Sequence, residues 1–244
     1  MVDWKHQQAE RDVLPLLKPA LAIDPTVEDT FPRPIEDILA AALPALEVHR
    51  VRNLDVKGIV AQLGDDYGID ERALLDDGNE SLGGFTYGDM QRALVFVEVK
   101  YGTDFENFTL AHEAGHIAKE LLPRLAQRHQ GDMFAAPASR LIAHRDPPEV
   151  IFDAGGFDTT QPIEVRLRAM KVKAKAWKRE VVANACAAEL IAPWRAVQRV
   201  VAAAPPSSNL VELVSTTFAL SGRAARIRLI ELGLLATGAA PRLL

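Results

Sequence analysis

Apolar residues recur with the period of a helix or of a strand along most of the chain, and this pattern predicts an α+β fold. Helical stripes run through residues 35–43 and 55–67, and Pro34 suits the first turn of the earlier helix. Residues 47–52 alternate between apolar and polar side chains, as in a short strand. Residues 1–34 contain five prolines, so we expect an arm without a long regular element that is either laid on the domain surface or partly mobile.

A hairpin pattern follows in the middle of the chain. Residues 85–87 predict its first strand, residues 88–91 its turn, and residues 93–99 (ALVFVEV) a second strand rich in β-branched side chains. The next helix is predicted to begin near Glu106 and to end before Pro123, because proline lacks the N–H of a helical hydrogen bond. The fold is therefore predicted to be mostly helical, with a small sheet before this helix.

The second half of the chain is predicted to hold an irregular insertion and then helices. Residues 123–162 are interrupted by proline and glycine, and so long an irregular segment is unusual inside a compact domain. It forms either a lid or partner surface, or an ordered surface insertion without a role. Residues 163–192 and 194–235 are predicted to be helical, with residues 236–244 as a tail. One domain, residues 35–235, is expected.

The segment FTLAHEAGH, residues 108–116, contains the pattern H-E-x-x-H. On a helix, His112 and His116 share one face, so their imidazole nitrogens can bind one tetrahedral metal ion. Glu113 follows the first histidine, where its carboxylate can take a proton from a water molecule at the metal. The motif therefore predicts a metal centre with a catalytic base, and the centre needs a third protein ligand.

A carboxylate in a later helix is the strongest candidate for the third ligand. Glu180 and Asn184 share one face of the predicted helix KREVVANACAAEL, and small apolar residues continue that face. Packing of this face on the first helix would bring Glu180 over the histidines and Asn184 to a supporting or substrate-binding position. Glu189 competes from the opposite side of the same helix, and Glu180 as a solvated surface residue is the alternative. Weaker candidates are Asp153, Asp158 and Glu164.

Three motifs in the same order resemble those of the ImmA/IrrE metallopeptidases. FTLAHEAGH resembles the metal-binding helix of that family, and E-x-x-A-N-x-x-A-A-E-L, residues 180–190, resembles its second motif. FALSGRAARIRLIELGLL, residues 218–235, looks like its C-terminal segment. Val182 and Cys186 depart mildly from the second motif, and the segment between the two metal-binding motifs is longer than in the family.

The resemblance implies site residues, a cofactor and a substrate class. It makes His112, His116 and Glu180 the ligands of Zn²⁺ in a zincin-like domain, and Glu113 the general base. The same donor set accepts Mn²⁺ or Fe²⁺ where zinc is scarce. Relatives of this kind act as proteases on a helix-turn-helix repressor in stress response or mobile-element control. The expected partner is therefore a protein substrate, a transcriptional repressor.

Further residues are predicted to contact that substrate. The strand of residues 93–99, which includes Val97, could pair with an extended peptide by strand addition. Candidates for stabilising an oxyanion are Tyr101, His129, His144 and Arg145, each of which has an ordinary surface or core role as its alternative. The alternative function is a non-proteolytic regulatory or toxin–antitoxin protein in which the metal site is structural or vestigial.

Composition narrows the class of protein further. The formal net charge of −5 gives no general attraction to nucleic acid, so we expect no direct nucleic acid binding. Cys186 is the only cysteine, which excludes an intrachain disulfide and a cysteine-rich metal site. The first residues lack the pattern of a signal peptide and no apolar segment has the length of a membrane span. We therefore expect a cytoplasmic protein of undetermined oligomeric state.

Overall fold

The computed structural model of the protein describes residues 4–43, 45–77, 80–89, 91–129, 141–145 and 178–236. This part of the chain is mostly helical with one small sheet, which confirms the predicted α+β class. Most of the predicted insertion, residues 123–162, and the predicted tail after residue 236 lie outside it. Within the described ranges no helix combines the length and the apolar character needed to cross a bilayer.

The helices and strands of the described part are labelled here in chain order. The helices are α1 (Trp4–Ile23), α2 (Ile35–Ala42), α3 (Val56–Tyr67), α4 (Thr103–His116), α5 (Leu122–His129), α6 (178–191), α7 (Trp194–Ala202), α8 (Leu210–Phe218) and α9 (Gly222–Glu231). The strands are β1 (Leu46–Val51), β2 (Gly84–Gly88), β3 (Ala93–Glu98) and β4 (Leu141–Arg145). Two 3₁₀ helices are found at Pro25–Glu28 and Arg72–Asp77.

The sheet has the strand order β1-β3-β2-β4. The predicted hairpin is confirmed as the antiparallel pair of β2 and β3, and the predicted strand near residue 47 is confirmed as β1, which runs parallel to β3. Because β3 has a strand on each side, the prediction that residues 93–99 receive a peptide by strand addition is wrong. Val97 is 1% exposed and belongs to the core, so it is not a substrate contact.

Alternate residues of β2 and β3 pack into two different hydrophobic cores. Phe85 and Phe96 pack with α3 on one face of the sheet. Val95 and Val97 of β3 point to the other face and join a larger core formed with α1, α2, α4 and the C-terminal helices. Thr86 of β2 also turns to this second face, where it meets α4. The alternation of strand side chains therefore places α4 directly on the sheet.

Helix α1 shows that the expectation of an N-terminal arm without a long element is wrong. It runs unbroken from Trp4 to Ile23 with Pro15 and Pro19 inside it. Each proline removes a helical hydrogen bond, and burial of an apolar face offsets that loss. Leu16 is 0% exposed, in the same core as the residues of α4.

The helix of the HEAGH motif is longer than predicted at both ends. It begins at Thr103, and a π-helical turn, Ile117–Leu121, joins α4 to α5. The Leu122 N–H donates to the Ile117 carbonyl, five residues back, so the hydrogen-bond register changes immediately before Pro123. Pro123 then lies in the first turn of α5, where its missing N–H costs little, and the predicted end before Pro123 is wrong.

Leu16→Ala should lower the free energy of unfolding by about 2–5 kcal/mol, because the substitution leaves a cavity in the main core. Leu14→Ala is the matched control in the same helix, since Leu14 is 36% exposed. It should cost no more than about 1 kcal/mol. Urea denaturation followed by circular dichroism measures both values. A loss for Leu16→Ala as small as that for the control would show that α1 lies on the surface as an arm.

Candidate metal centre

Helices α4 and α6 cross in backbone contact at Gly115. A β-carbon built on Gly115 would lie 2.9 Å from both the Cα and the carbonyl oxygen of Ala183, and 3.0 Å from the Cβ of Cys186. A side chain at this position would therefore force the helices apart. Glycine inside a helix costs about 1 kcal/mol relative to alanine, and here it permits the close approach. The crossing brings the small-residue face of α6 over the HEAGH turn.

The crossing brings His112, His116 and Glu180 together, as the sequence predicted. Their ligand atoms form a small triangle: the two Nε2 atoms lie 3.2 Å apart, and Glu180 oxygens lie 3.0 Å from Nε2 of His112 and 3.4 Å from Nε2 of His116. Atoms bound to one tetrahedral Zn²⁺ at about 2.0–2.1 Å would stand roughly 3.3 Å apart. This buried cluster could therefore hold a metal ion.

The hydrogen bonds of the two Nδ1 atoms determine which nitrogen of each histidine ring keeps a lone pair for a metal ion. Nδ1 of His112 donates to Oδ1 of Asn184 at 2.9 Å, and Nδ1 of His116 donates to Oε1 of Glu120 at 3.1 Å. Both partners accept only, so the neutral form of each ring carries its proton on Nδ1 and a lone pair on Nε2. Two lone pairs and a carboxylate thus converge on one point, which a cation satisfies better than hydrogen bonds can.

Glu120 and Arg179 are supporting residues that the sequence reasoning missed. Glu120 lies in the π-helical turn, four residues after His116, and its carboxylate receives both Nε and a terminal nitrogen of Arg179 at 2.9 and 2.7 Å. This bidentate pair joins the π-helical turn to α6, one residue before Glu180. The four-residue spacing from His116 to Glu120 was the available sequence signal. Asn184, predicted to support the site or bind substrate, contacts His112.

The contacts within the cluster favour a protonated His116 and an ionised Glu180. Burial lowers the pKa of His116, but hydrogen bonds with Glu120 and Glu180 outweigh it and raise the pKa to about 9. Burial raises the pKa of Glu180, but hydrogen bonds with His112 and His116 outweigh it and hold the pKa well below its usual range. A proton on the His116 imidazole therefore occupies the place that a metal would take.

Glu113 lies on the sheet side of α4, next to the ligands. Its Oε2 accepts a 2.6 Å hydrogen bond from the hydroxyl of Thr86, and its Oε1 is buried without a hydrogen-bond partner among the described residues. A β-carbon on Gly84 would lie 2.7 Å from that Oε1, so glycine in β2 leaves the room that the carboxylate occupies. The arrangement holds one oxygen of Glu113 and leaves the other available as a proton acceptor.

Glu189, the competing carboxylate of α6, has a structural partner instead. Its Oε2 accepts a 2.7 Å hydrogen bond from Arg228 of α9, and its carboxylate also accepts the backbone N–H of Trp194 at 3.3 Å. Burial raises the pKa of Glu189 to about 7, although Arg228 and that N–H act in the opposite direction. Arg228 further donates to the Ala192 carbonyl at 3.0 Å. Glu189 therefore ties the end of α6 to α9 and is not a metal ligand.

Two further residues are predicted to contact substrate, Tyr101 and His144. The Tyr101 ring packs on Phe105 with centroids 5.0 Å apart, and Lys100 Nζ lies 4.7 Å from the Tyr101 centroid. His144 is paired in register with Phe85 in the β4 and β2 strands. Tyr101 and His144 both stay predictions.

Comparison with known proteins does not assign this chain to a family. No protein-family model, no curated protein and no solved structure matches it. The similarity of its three motifs to ImmA/IrrE metallopeptidases therefore stays a prediction, and the case for a function rests on the geometry of the site.

Gly115→Ala should destabilise the protein and weaken metal binding, because the added methyl group separates α4 from α6. Helix propensity alone predicts the opposite sign, a gain of about 1 kcal/mol. Gly64→Ala in α3 is the matched control, since nothing lies within 4 Å of a β-carbon there. Thermal unfolding with and without Zn²⁺ measures both effects. A gain for both variants would contradict the backbone contact.

Zn²⁺ affinity should rise with pH until about pH 9, because the cation displaces the proton of His116. Each pH unit below that value should cost up to about tenfold in affinity. In the metal-free protein the raised pKa stabilises the fold below about pH 6.5, and this stabilisation is lost as the pH rises through about 9. Competition with a chelator at pH 6.5, 7.5 and 8.5 measures the slope, and a flat profile would contradict it.

Proposed function

We propose that this protein is a zinc-dependent endopeptidase that cleaves a partner regulatory protein. The observation that carries the proposal is the convergence of two histidine nitrogens and the Glu180 carboxylate beside a general base, Glu113, that keeps one free oxygen. A structural site needs only ligands, whereas a hydrolytic site also needs a base next to an open coordination position. A tetrahedral ion held by these three residues would keep one coordination position for water or substrate.

The chain's own residues divide the chemistry between them. His112, His116 and Glu180 would hold Zn²⁺, which supplies Lewis acidity that lowers the pKa of water and polarises a carbonyl group. Glu113 accepts the proton of the attacking water at Oε1 and returns it to the leaving amine. Thr86 holds Oε2 so that Oε1 keeps its direction during both transfers. Asn184 and Glu120 keep the two imidazole rings in the binding tautomer.

A zincin-like arrangement of sheet and helix is part of the proposal. We assign peptide pairing to β4 rather than β3, because β3 has a strand on each side, whereas β4 is an edge strand of the described sheet. β1 is the other described edge strand, and we prefer β4 because it lies next to β2, which carries Gly84 and Thr86 beside Glu113. Arg145, at the end of β4, is paired in register with Gly84, the residue whose absent side chain makes room for Glu113. An extended peptide on this edge would continue the sheet as the next strand after β4.

The proposed substrate is a helix-turn-helix repressor, and the support for this choice is the resemblance of the motifs to ImmA/IrrE proteases. The second candidate function is a non-proteolytic regulatory or toxin–antitoxin protein with a structural metal. One observation favours it: Glu113 is 0% exposed, and His112 and His116 are each 1% exposed within the described part. Burial of Glu113 suits a structural site, whereas hydrolysis requires that water reach this carboxylate, so a cleavage assay separates the two candidates.

Glu113→Gln should leave Zn²⁺ binding intact and lower the rate of cleavage by about 10²–10⁴-fold, because the amide cannot accept the proton. The assay is a proteome-derived peptide library and a candidate repressor, both read by mass spectrometry. Glu180→Ala should lose both metal and cleavage. Glu36→Gln, on an exposed carboxylate paired with Arg50, is the matched control and should match the wild type.

Three outcomes decide between the candidates. Cleavage that disappears with Glu113→Gln and with a chelator supports the peptidase. Stoichiometric zinc without any cleavage supports the structural metal site and overturns the peptidase. Full retention of metal by Glu180→Ala would overturn the third ligand, and with it the geometry on which the proposal rests.

A further inference from the structure

A cleft opens between α1 and α7, away from the candidate metal site. It has a volume of about 600 Å³, and none of the metal-site residues lines it. Val13, Leu17 and Leu21 of α1 form one wall, and Trp194 and Ala196 of α7 belong to the other. This volume lies within the roughly 300–1,000 Å³ that small-molecule sites occupy, and apolar walls with a few polar groups are typical of them.

Most charged groups around the cleft already have partners of opposite charge. Arg195 pairs with Glu10 at 2.8 Å, and Arg199 pairs with Asp29 at 2.7 Å. Glu189, at the inner end, pairs with Arg228 from α9. Glu28 also lines the cleft, from the exposed 3₁₀ helix that follows α1.

Arg33 is the cation of the cleft for which the described residues supply no paired carboxylate. Within the part of the chain that the structure describes, no carboxylate lies within 4.0 Å of its guanidinium group, and its Nε is buried without a hydrogen-bond partner. Its terminal nitrogens reach only backbone carbonyls, at 3.4 Å from Leu190 and Glu28 and at 3.5 Å from Glu189. These distances are long for hydrogen bonds to a charged donor.

Because the guanidinium group of Arg33 is largely buried, its lack of hydrogen-bond acceptors is energetically unfavourable. Burial lowers the pKa of Arg33, and the nearby carboxylates Glu189, Glu28 and Asp29 oppose the shift only from a distance. The partial negative charge at the end of α6 offsets part of the desolvation. A guanidinium group presents five donors in a planar fork, and a carboxylate supplies the two acceptors that match it. The guanidinium group also lies over the Phe31 ring, with Cζ 5.6 Å from the ring centroid, but this contact supplies no anion. The cleft therefore offers one guanidinium group that no carboxylate pairs with among the described residues, beside apolar walls.

We propose that this cleft binds a monocarboxylate with an apolar chain, with its carboxylate on Arg33 and its chain between α1 and α7. The ligand class follows from the two halves of the site: a single cation without a counterion, and walls of aliphatic and indole surface. Arg33 also contacts the carbonyls of Glu189 and Leu190, so the bound carboxylate lies at the end of α6 opposite to Glu180.

Decanoate is the probe, and isothermal calorimetry of the full-length protein is the measurement. Wild type should bind decanoate saturably at one site per chain. Decanol, which has the same chain without the charge, should bind at least about tenfold more weakly, as expected for the loss of hydrogen bonds to a charged group. Arg33→Met, which keeps the length of the side chain, should cause a loss of similar size.

Two further variants distinguish a specific loss of decanoate binding from a loss of folding. Gln198→Glu adds a negative charge to the same cleft without changing its shape, and it should weaken decanoate binding while leaving decanol binding unchanged. Arg72→Met removes a fully exposed guanidinium group paired with Asp70 and should bind as wild type does. Thermal unfolding of each variant confirms that it is folded.

The proposal is overturned if decanoate does not bind, if decanol binds equally well, or if folded Arg33→Met and Gln198→Glu retain full affinity. The result does not depend on the metal centre, because it is measured on protein treated with a chelator and again with Zn²⁺ added. A failure here leaves the peptidase proposal untouched, and a failure of cleavage leaves this one untouched.

Discussion

The contact between the backbones of α4 and α6 is the constraint on which the site depends. The ligands come from positions far apart in the sequence, and only a crossing without a side chain at Gly115 lets α6 approach closely enough. The sheet holds α4 from the other side through Gly84 and Thr86. Three layers, sheet, α4 and α6, are therefore fixed at short distances by small side chains, and the functional groups occupy the remaining space between them.

Hydrogen bonding explains the orientation of the buried polar side chains around the HEAGH turn. Nearly every buried heteroatom around the HEAGH turn has a protein partner: Asn184 and Glu120 take the outer imidazole nitrogens, and Thr86 takes one oxygen of Glu113. What these partners leave over is a set of acceptors that face one another, an arrangement that is unfavourable without a cation or a proton. The unfavourable electrostatic interactions of this region are thus concentrated between His112, His116 and Glu180.

Short-range patterns predicted much of this, and long-range packing accounts for the rest. The shared face of His112 and His116 depends on helix geometry alone and followed from the sequence, whereas the approach of Glu180 to the histidines depends on the crossing at Gly115. The unbroken α1 did not follow from its prolines, because burial of Leu16 outweighs the lost hydrogen bonds. Arg179 acts through a contact with Glu120 in a π-helical turn. The spacing of apolar side chains does not predict such a turn, so this contact could not be read from the sequence. The interior place of β3 depended on β1, a partner distant in sequence.

Gly115 would also make the response of this site to ionic radius asymmetric. The two helices already touch there, so α6 cannot move closer to α4, whereas it can move away. A cation with shorter bonds would have to draw in its ligand atoms by side-chain rotation alone. A larger cation such as Ca²⁺, with bonds of about 2.3–2.6 Å, would push the helices apart and weaken the packing of α6 on the core. The contact at Gly115 would therefore set the lower limit of the helix separation, and core packing would set the upper one.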